Sequence, residues 1–301
     1  MRWQSEFQAA PVEQVNCELL TAKSLRLRVL RLDKIHPQVQ GNKWFKLRLN
    51  LASCLEQGLS RVISFGGAYS NHLYALAAAG GQLGLETVGV VRGELVEPFN
   101  PVLAYCQSQG MKLHSVSRSE YRQKLDPLFL KELQDKYGPA FIVPEGGSNQ
   151  LGVQGCEEIA THLCNIAGEG PVTIALACGT GTTLAGVIQG LGKQQANHAV
   201  LGVSVLKAEG YIERQTKSWL TEATFSGKQS WYVSDSFHCG GYAKSSMELI
   251  EFIERFKEVS DIPLEPVYTG KLFFGLFSMI EADAFPPGSD LIAVHSGGII
   301  P

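Results

Sequence analysis

Apolar Leu25, Leu27 and Val29 alternate with Arg26, Arg28 and then Arg31, with Leu32 closing the run. This two-residue period predicts a strand with one dry face and one wet face. A polar turn follows. Phe45, Leu47, Leu49, Ala52 and Leu55 then recur at helical spacing ahead of Gly58, which predicts a helix opening at Lys43 and stopped by the glycine. From there the pattern alternates: a strand over 62–65, a helix over 71–83 ended by Gly84, a strand over 87–91, a helix over 102–109 ended by Gly110, a strand over 113–116, a helix over 127–137 ended by Gly138, and a strand over 141–143. A second run has a helix over 155–167, a strand over 172–177, a helix over 183–191 and a strand over 200–205. Residues 207–241 are less regular, after which helices over 246–259 and 271–284 precede a buried strand over 291–294. Strand and helix in turn, with glycine at helix ends, predict βαβ units and parallel sheets, and no low-complexity linker divides the runs. Two closely packed α/β lobes are expected.

Composition narrows the function classes. A chain of 301 residues, 45% hydrophobic and 18% charged, has ample core for an ordinary folded protein. The formal net charge of -3, with no cluster of Lys and Arg among aromatics, argues against a nucleic-acid partner. Met1 to Phe7 lacks the apolar core of a signal peptide and no apolar run reaches membrane-spanning length, so a cytoplasmic protein is expected. Seven cysteines, an odd number without a Cys-x-x-Cys pair, fit reduced thiols. Cys156 with His162, and His238 with Cys239, lack zinc-site spacing, so no metal is expected.

The candidate chemistry lies at the starts of helices. Lys43, in Gly41-Asn42-Lys43-Trp44-Phe45-Lys46, stands where a helix dipole disfavours a cation, and a lysine forced among apolar groups can attack a carbonyl as Schiff-base lysines do. A solvated lysine opening a surface helix is the plain alternative. Gly179, Thr180, Gly181, Thr182 and Thr183 follow an apolar strand and open a helix, so backbone N–H groups and the dipole would converge as a phosphate cradle. The loop lacks a Lys-Ser/Thr pair for a nucleoside triphosphate, and Leu184 stands where the dinucleotide fingerprint needs glycine. It also reads as a tight turn with no ligand.

The loop from Ser64 to His72 brings Ser70, Asn71 and His72 to a helix start, where they read either as caps or as a carboxylate site. Ser beside His raises hydrolase chemistry, but Gly-x-Ser-x-Gly is absent and no orienting acid is evident. Further glycine pairs stand in Pro144 to Asn149, in Gly240-Gly241-Tyr242 and in His295-Ser296-Gly297-Gly298, and open parallel sheets collect ligands at strand carboxyl ends. A reactive lysine with a phosphate cradle and no nucleotide motif points to pyridoxal phosphate.

These motifs resemble the pyridoxal-phosphate enzymes of the tryptophan synthase β-subunit fold (fold type II). Within that fold they are similar to the group of 1-aminocyclopropane-1-carboxylate (ACC) deaminase and D-cysteine desulfhydrase. The resemblance covers nearly the whole chain: Gly41 to Lys46, Ser70 to His72, Pro144 to Ser148, the phosphate loop Gly179 to Thr183, Tyr242, and Pro266 to Lys271. It implies two open parallel-sheet α/β domains with the cofactor between them, a large one from 1–49 and 152–301 and a small one, 50–151, inserted in it. It also implies a homodimer. By the resemblance, Lys43 holds pyridoxal 5'-phosphate and moves protons, Asn71 meets the 3′-oxygen, and Ser70 to His72 bind the substrate carboxylate, with Ser70 a candidate acid/base. Tyr242, Tyr268 and Thr269 would face the substrate and Ser296 the pyridine nitrogen. Core packing beside Val267 and Leu272 is the alternative for Tyr268.

Thr269 stands where ACC deaminases have Glu, and His295-Ser296-Gly297-Gly298 is similar to the desulfhydrases' His-Thr-Gly-Gly. A hydroxyl at the ring nitrogen favours elimination of a good leaving group, so a small amino acid, D-cysteine or a β-substituted D-alanine, is expected to yield an α-keto acid and ammonia. ACC ring opening to 2-oxobutyrate is the enzymatic alternative, and a protein that holds the cofactor without turnover is the alternative of another class. Gln40, Trp44, Phe45, Tyr69 and an end at Pro301 depart from the family's pattern.

Overall fold

The computed structural model describes residues 8–168, 170–220 and 230–298. The signal-peptide expectation at Met1 to Phe7, the end at Pro301 and part of the irregular 207–241 stretch lie outside the described residues. In chain order the elements are β1 (Val12–Val15), α1 (Glu18–Ala22), β2 (Arg26–Arg31), α2 (Asn42–Glu56), β3 (Arg61–Gly66), α3 (Asn71–Leu83), β4 (Glu86–Arg92), α4 (Pro101–Ser108), β5 (Lys112–Val116), α5 (Arg118–Tyr121), α6 (Pro127–Tyr137) and β6 (Phe141–Val143). There follow α7 (Gln150–Ala167), β7 (Thr173–Cys178), α8 (Thr182–Lys193), β8 (Ala199–Ser204), α9 (Tyr211–Trp219), β9 (Trp231–Ser234), α10 (Met247–Val259), α11 (Thr269–Glu281) and β10 (Asp290–His295).

Two compact units divide the chain at 35/36 and 155/156, whereas the sequence reading put the divisions at 49/50 and 151/152. The first unit takes in α2 whole. Its four parallel strands run in the order β5-β4-β3-β6, with Ser64 of β3 level with Val143 of β6. Ile63, Phe65, Val88 and Val90 alternate into a core closed by Tyr121 and Phe129. Because β3 and β6 are parallel neighbours, the loops after them leave the same edge of the sheet side by side.

The second unit holds six strands in the order β1-β2-β10-β7-β8-β9, parallel except for β1 against β2. The central strands β7, β8 and β10 are buried along almost their whole length, as expected of parallel strands covered on both faces. One face packs on α10 and α11, where Phe256 meets Phe273 at 5.0 Å and Phe252 meets Phe277 at 5.4 Å between ring centroids. That ladder fixes α11, and truncating one such ring costs about 3–5 kcal/mol. α9 and β9 lie in the stretch whose sequence pattern is irregular.

α7 starts at Gln150, ahead of the predicted 155, because the Asn149 side chain accepts the N–H of Gly152 at 2.8 Å. Two glycines of this helix sit at close approaches of other backbone. A Cβ on Gly155 would stand 1.9 Å from the Phe45 carbonyl oxygen, and one on Gly152 2.1 Å from that of Gly147.

Candidate active site

In the first unit, Gly41 enters α2 at φ 62 and ψ -144, a conformation that favours glycine, and this makes Lys43 the second residue of the helix. Lys43 is half-buried and its Nζ donates to the Asn42 side-chain oxygen at 2.7 Å. Trp44 and Phe45 are buried beside it, and so is Lys46, only 3% exposed. The more deeply buried lysine of the motif is therefore Lys46.

The strand β3 ends at Gly66, where an added Cβ would lie 2.5 Å from the Ser70 hydroxyl. Ser70 folds back over that glycine and its Oγ accepts the N–H of Leu73 at 3.2 Å, capping α3. Asn71 is the first helical residue and His72 the second. His72 is buried, with Nε2 2.8 Å from Ser64 Oγ, and Ser64 donates to the Val143 carbonyl at 2.7 Å. Burial, reinforced by the charges of Lys43 and Lys46, holds the imidazole well below its usual pKa. Gly147, at φ 68, brings the Pro144–Ser148 loop against the same groups: a Cβ there would be 3.0 Å from Lys46 Cβ and 3.5 Å from the His72 ring.

In the second unit, β7 runs into Gly179 and Thr180, and Gly181 turns at φ 73 to start α8. No side chain caps that helix, and the Thr180 and Thr182 hydroxyls are 3.1 Å apart. Thr182 and Thr183 form its buried first turn. A Cβ on Gly179 would come within 3.2 Å of the Tyr268 ring, so glycine lets the tyrosine lie on the loop. Tyr268 and Tyr242 present their hydroxyls 3.5 Å apart, with Tyr242 47% exposed.

Three residues hold these tyrosines, and the sequence reading assigned a role to only one of them. The Glu265 carboxylate accepts the N–H groups of Val267, Tyr268 and Thr269 at 2.7–2.8 Å. Thr269 is fully buried, its hydroxyl donating to that carboxylate at 3.1 Å and accepting the Glu265 N–H at 3.0 Å. Lys271, also fully buried, donates to the Gly241 carbonyl at 2.7 Å, fastening the loop that carries Tyr242. Burial pushes the Lys271 ammonium below its usual pKa. A carboxylate four residues ahead of a helix start was the legible sign of Glu265. Nothing local marks Lys271 as an anchor for Gly241. Ser296 is half-buried, directly after β10.

In the second unit, a helix with no side-chain cap, opening on a glycine–threonine loop that a Cβ would crowd, offers the donors a phosphate needs, and in the first unit a primary amine at a helix start is the group an aldehyde takes. The class these features point to is an α/β enzyme that uses pyridoxal phosphate. The profile of the pyridoxal-phosphate dependent enzyme family matches residues 18–297, and the chain belongs to that family. A protein of Thermotoga maritima named as a candidate 1-aminocyclopropane-1-carboxylate deaminase is 31% identical over 269 residues, 86% of this chain and 84% of its own. A mitochondrial protein of Arabidopsis thaliana named as a bifunctional D-cysteine desulfhydrase/1-aminocyclopropane-1-carboxylate deaminase is 28% identical over 291 residues, 91% of this chain and 72% of its own. The solved structure of an ACC deaminase homologue has a TM-score of 0.83 at 24% identity, covering 97% of this chain and 90% of that one. The two parallel sheets have the fold type II architecture of such enzymes.

Proposed function

We propose that the protein converts D-cysteine, or another β-substituted D-alanine, to an α-keto acid and ammonia. With D-cysteine and water the products are pyruvate, ammonia and hydrogen sulfide. The observation that supports this reading most is the pair of phenols, Tyr242 and Tyr268, 3.5 Å apart with Tyr268 lying on the phosphate loop at Gly179. A β-thiol leaves more readily when a neighbouring hydroxyl can give it a proton.

Bound pyridoxal phosphate supplies an electron sink that makes the substrate's α-proton removable. Lys43 would anchor the cofactor and its amine would take and return protons. Asn71 would donate to the 3′-oxygen, and the loop from Gly179 through Thr180, Gly181, Thr182 and Thr183 would hold the phosphate. The N–H groups of Asn71 and His72 at the start of α3 would receive the substrate carboxylate, with the Ser70 hydroxyl as candidate acid/base. Ser296 would meet the pyridine nitrogen as a neutral hydroxyl. Thr269 acts through Glu265, which sets the backbone on which Tyr268 stands.

ACC deamination is the second reading, favoured by the name of the Thermotoga maritima relative. A homodimer in the cytoplasm completes the proposal; no described helix is long and apolar enough to cross a membrane. The test follows the visible absorbance of the purified protein on adding D-cysteine, L-cysteine or ACC, with product analysis and Lys43→Ala as control. Pyruvate with sulfide from D-cysteine supports elimination. 2-Oxobutyrate from ACC alone transfers the assignment to ring opening, and a spectrum indifferent to every amino acid leaves a protein that holds the cofactor without turnover.

A further inference from the structure

The strand β10 ends at His295, one residue before Ser296, and the His295 side chain is fully buried. Its Nε2 lies 2.7 Å from the carbonyl oxygen of Pro263, which can only accept, so Nε2 carries a proton. Its Nδ1 stands 3.1 Å from Oδ1 of Asp33, within ion-pair distance though off the hydrogen-bond direction. Asp33 is ionised: burial alone would raise its pKa, but the two hydrogen bonds and the charge of Arg31, with His295 beside it, hold it well below the usual carboxylate range.

The remaining charges around this pair are few. Arg31, buried in β2, grips Asp33 through Nε at 2.8 Å and Nη2 at 2.6 Å, and reaches Glu13 of β1 through Nη1 at 2.7 Å. Lys34, half exposed, covers the other oxygen of Glu13 at 2.6 Å. Glu265, on the segment that follows Pro263, faces the N–H groups of α11. Two cations, Arg31 and Lys34, therefore face two carboxylates, Glu13 and Asp33.

We propose that the His295–Asp33 pair, with His295 also bound to the Pro263 carbonyl, is the positioning device for Ser296. The pair joins the end of β10 to the turn after β2, and through Pro263 to the segment leading into Glu265 and Tyr268. One ring thereby spaces the hydroxyl assigned to the pyridine nitrogen from the tyrosine beside the phosphate loop. The role given to Ser296 rests on the reading proposed above.

A cycle of variants tests it. Cofactor titration of cofactor-free protein compares wild type with His295→Gln, Ser296→Ala and the double variant; Asp33→Asn replaces His295→Gln if the latter does not fold. Each single change should weaken pyridoxal phosphate binding by about tenfold. The double variant should bind no more weakly than Ser296→Ala, because the histidine acts through the serine. Additive losses mean His295 is merely structural and overturn the proposal while leaving the Ser296 assignment intact. A Ser296→Ala protein that binds as wild type instead removes that assignment, and with it the task claimed for the pair.

Discussion

Ser64 and His72 stand 2.8 Å apart, Oγ to Nε2, and Ser64 gives its only proton to the Val143 carbonyl at 2.7 Å. The serine oxygen must therefore accept from His72, so Nε2 carries the hydrogen and Nδ1 is a buried lone pair without a hydrogen-bond partner. The relationship ties the first turn of α3 to β3 and β6, the two strands whose ends carry glycine loops.

It has a pH signature. The folded-state pKa of His72 lies well below 6.5, so between that value and 6.5 the unfolded chain binds the extra proton. Stability is therefore full above about pH 6.5 and falls as pH is lowered, by at most about 1.4 kcal/mol per pH unit for one group. His114 and His198 are displaced in the same direction. Thermal unfolding from pH 7.5 to 5, compared with His72→Gln, isolates the share of this residue: the variant should lose less stability on acidification. Equal slopes would mean that His72 is not the group that titrates.

Ser70 carries a cap as well as a proposed chemical role, and two substitutions separate them. Ser70→Ala should lower stability by about 1 kcal/mol through loss of the Leu73 N–H bond. Ser70→Thr should restore most of that in thermal unfolding. Turnover under saturating substrate should drop in the alanine variant by about a hundredfold, the scale of a general acid or base. A loss no larger than the change in folded fraction would leave capping as the whole role.

Glu265→Gln retains shape but replaces the carboxylate that three N–H groups share. A destabilisation of about 1–2 kcal/mol is expected from the weaker helix start. Because Tyr268 stands on that backbone, kcat should fall with it, by about tenfold or more for a displacement approaching 1 Å. If Glu265→Gln matches wild type in kcat while Tyr268→Phe does not, the carboxylate is not what sets the tyrosine.

Lys271→Met fills the space of the stem and removes the 2.7 Å bond to Gly241. Leaving that carbonyl unpaired should cost about 1–3 kcal/mol. The absorbance of bound cofactor should be unchanged, while KM or kcat worsens by about tenfold as Tyr242 loses its fixed loop. Unaltered kinetics would show that the loop is held by other contacts.

How much was readable in the chain depended on how local the cause was. The predicted bounds of α3 match because Ser70 caps its start and Gly84, at φ 67, ends it. Those of α6 match for a similar reason, with Asp126 and Pro127 at its start and Gly138 at its end. α7 was read five residues short, since neither the Asn149 cap on Gly152 nor the close approaches of the Gly147 and Phe45 backbone to Gly152 and Gly155 leaves a periodic signal in the chain. α9 was missed since its buried face is little more than Ile212 and Thr216. Thr216 stands against Gly181, where a Cβ would meet its hydroxyl at 2.8 Å, a contact no periodicity encodes.

The sequence by itself determined the alternation of strands and helices, the glycine loops at strand ends, and the family with its cofactor, because each depends on short stretches whose backbone preferences and donor groups are adjacent in the chain. The tertiary structure decided which lysine is buried, that the Thr269 hydroxyl belongs to Glu265, and that His295 meets Asp33. The strand order is the reason for the last of these. Placing β10 beside β2 brings the two ends of the chain level, His295 against Arg31, and only then is there a carboxylate for the histidine to face.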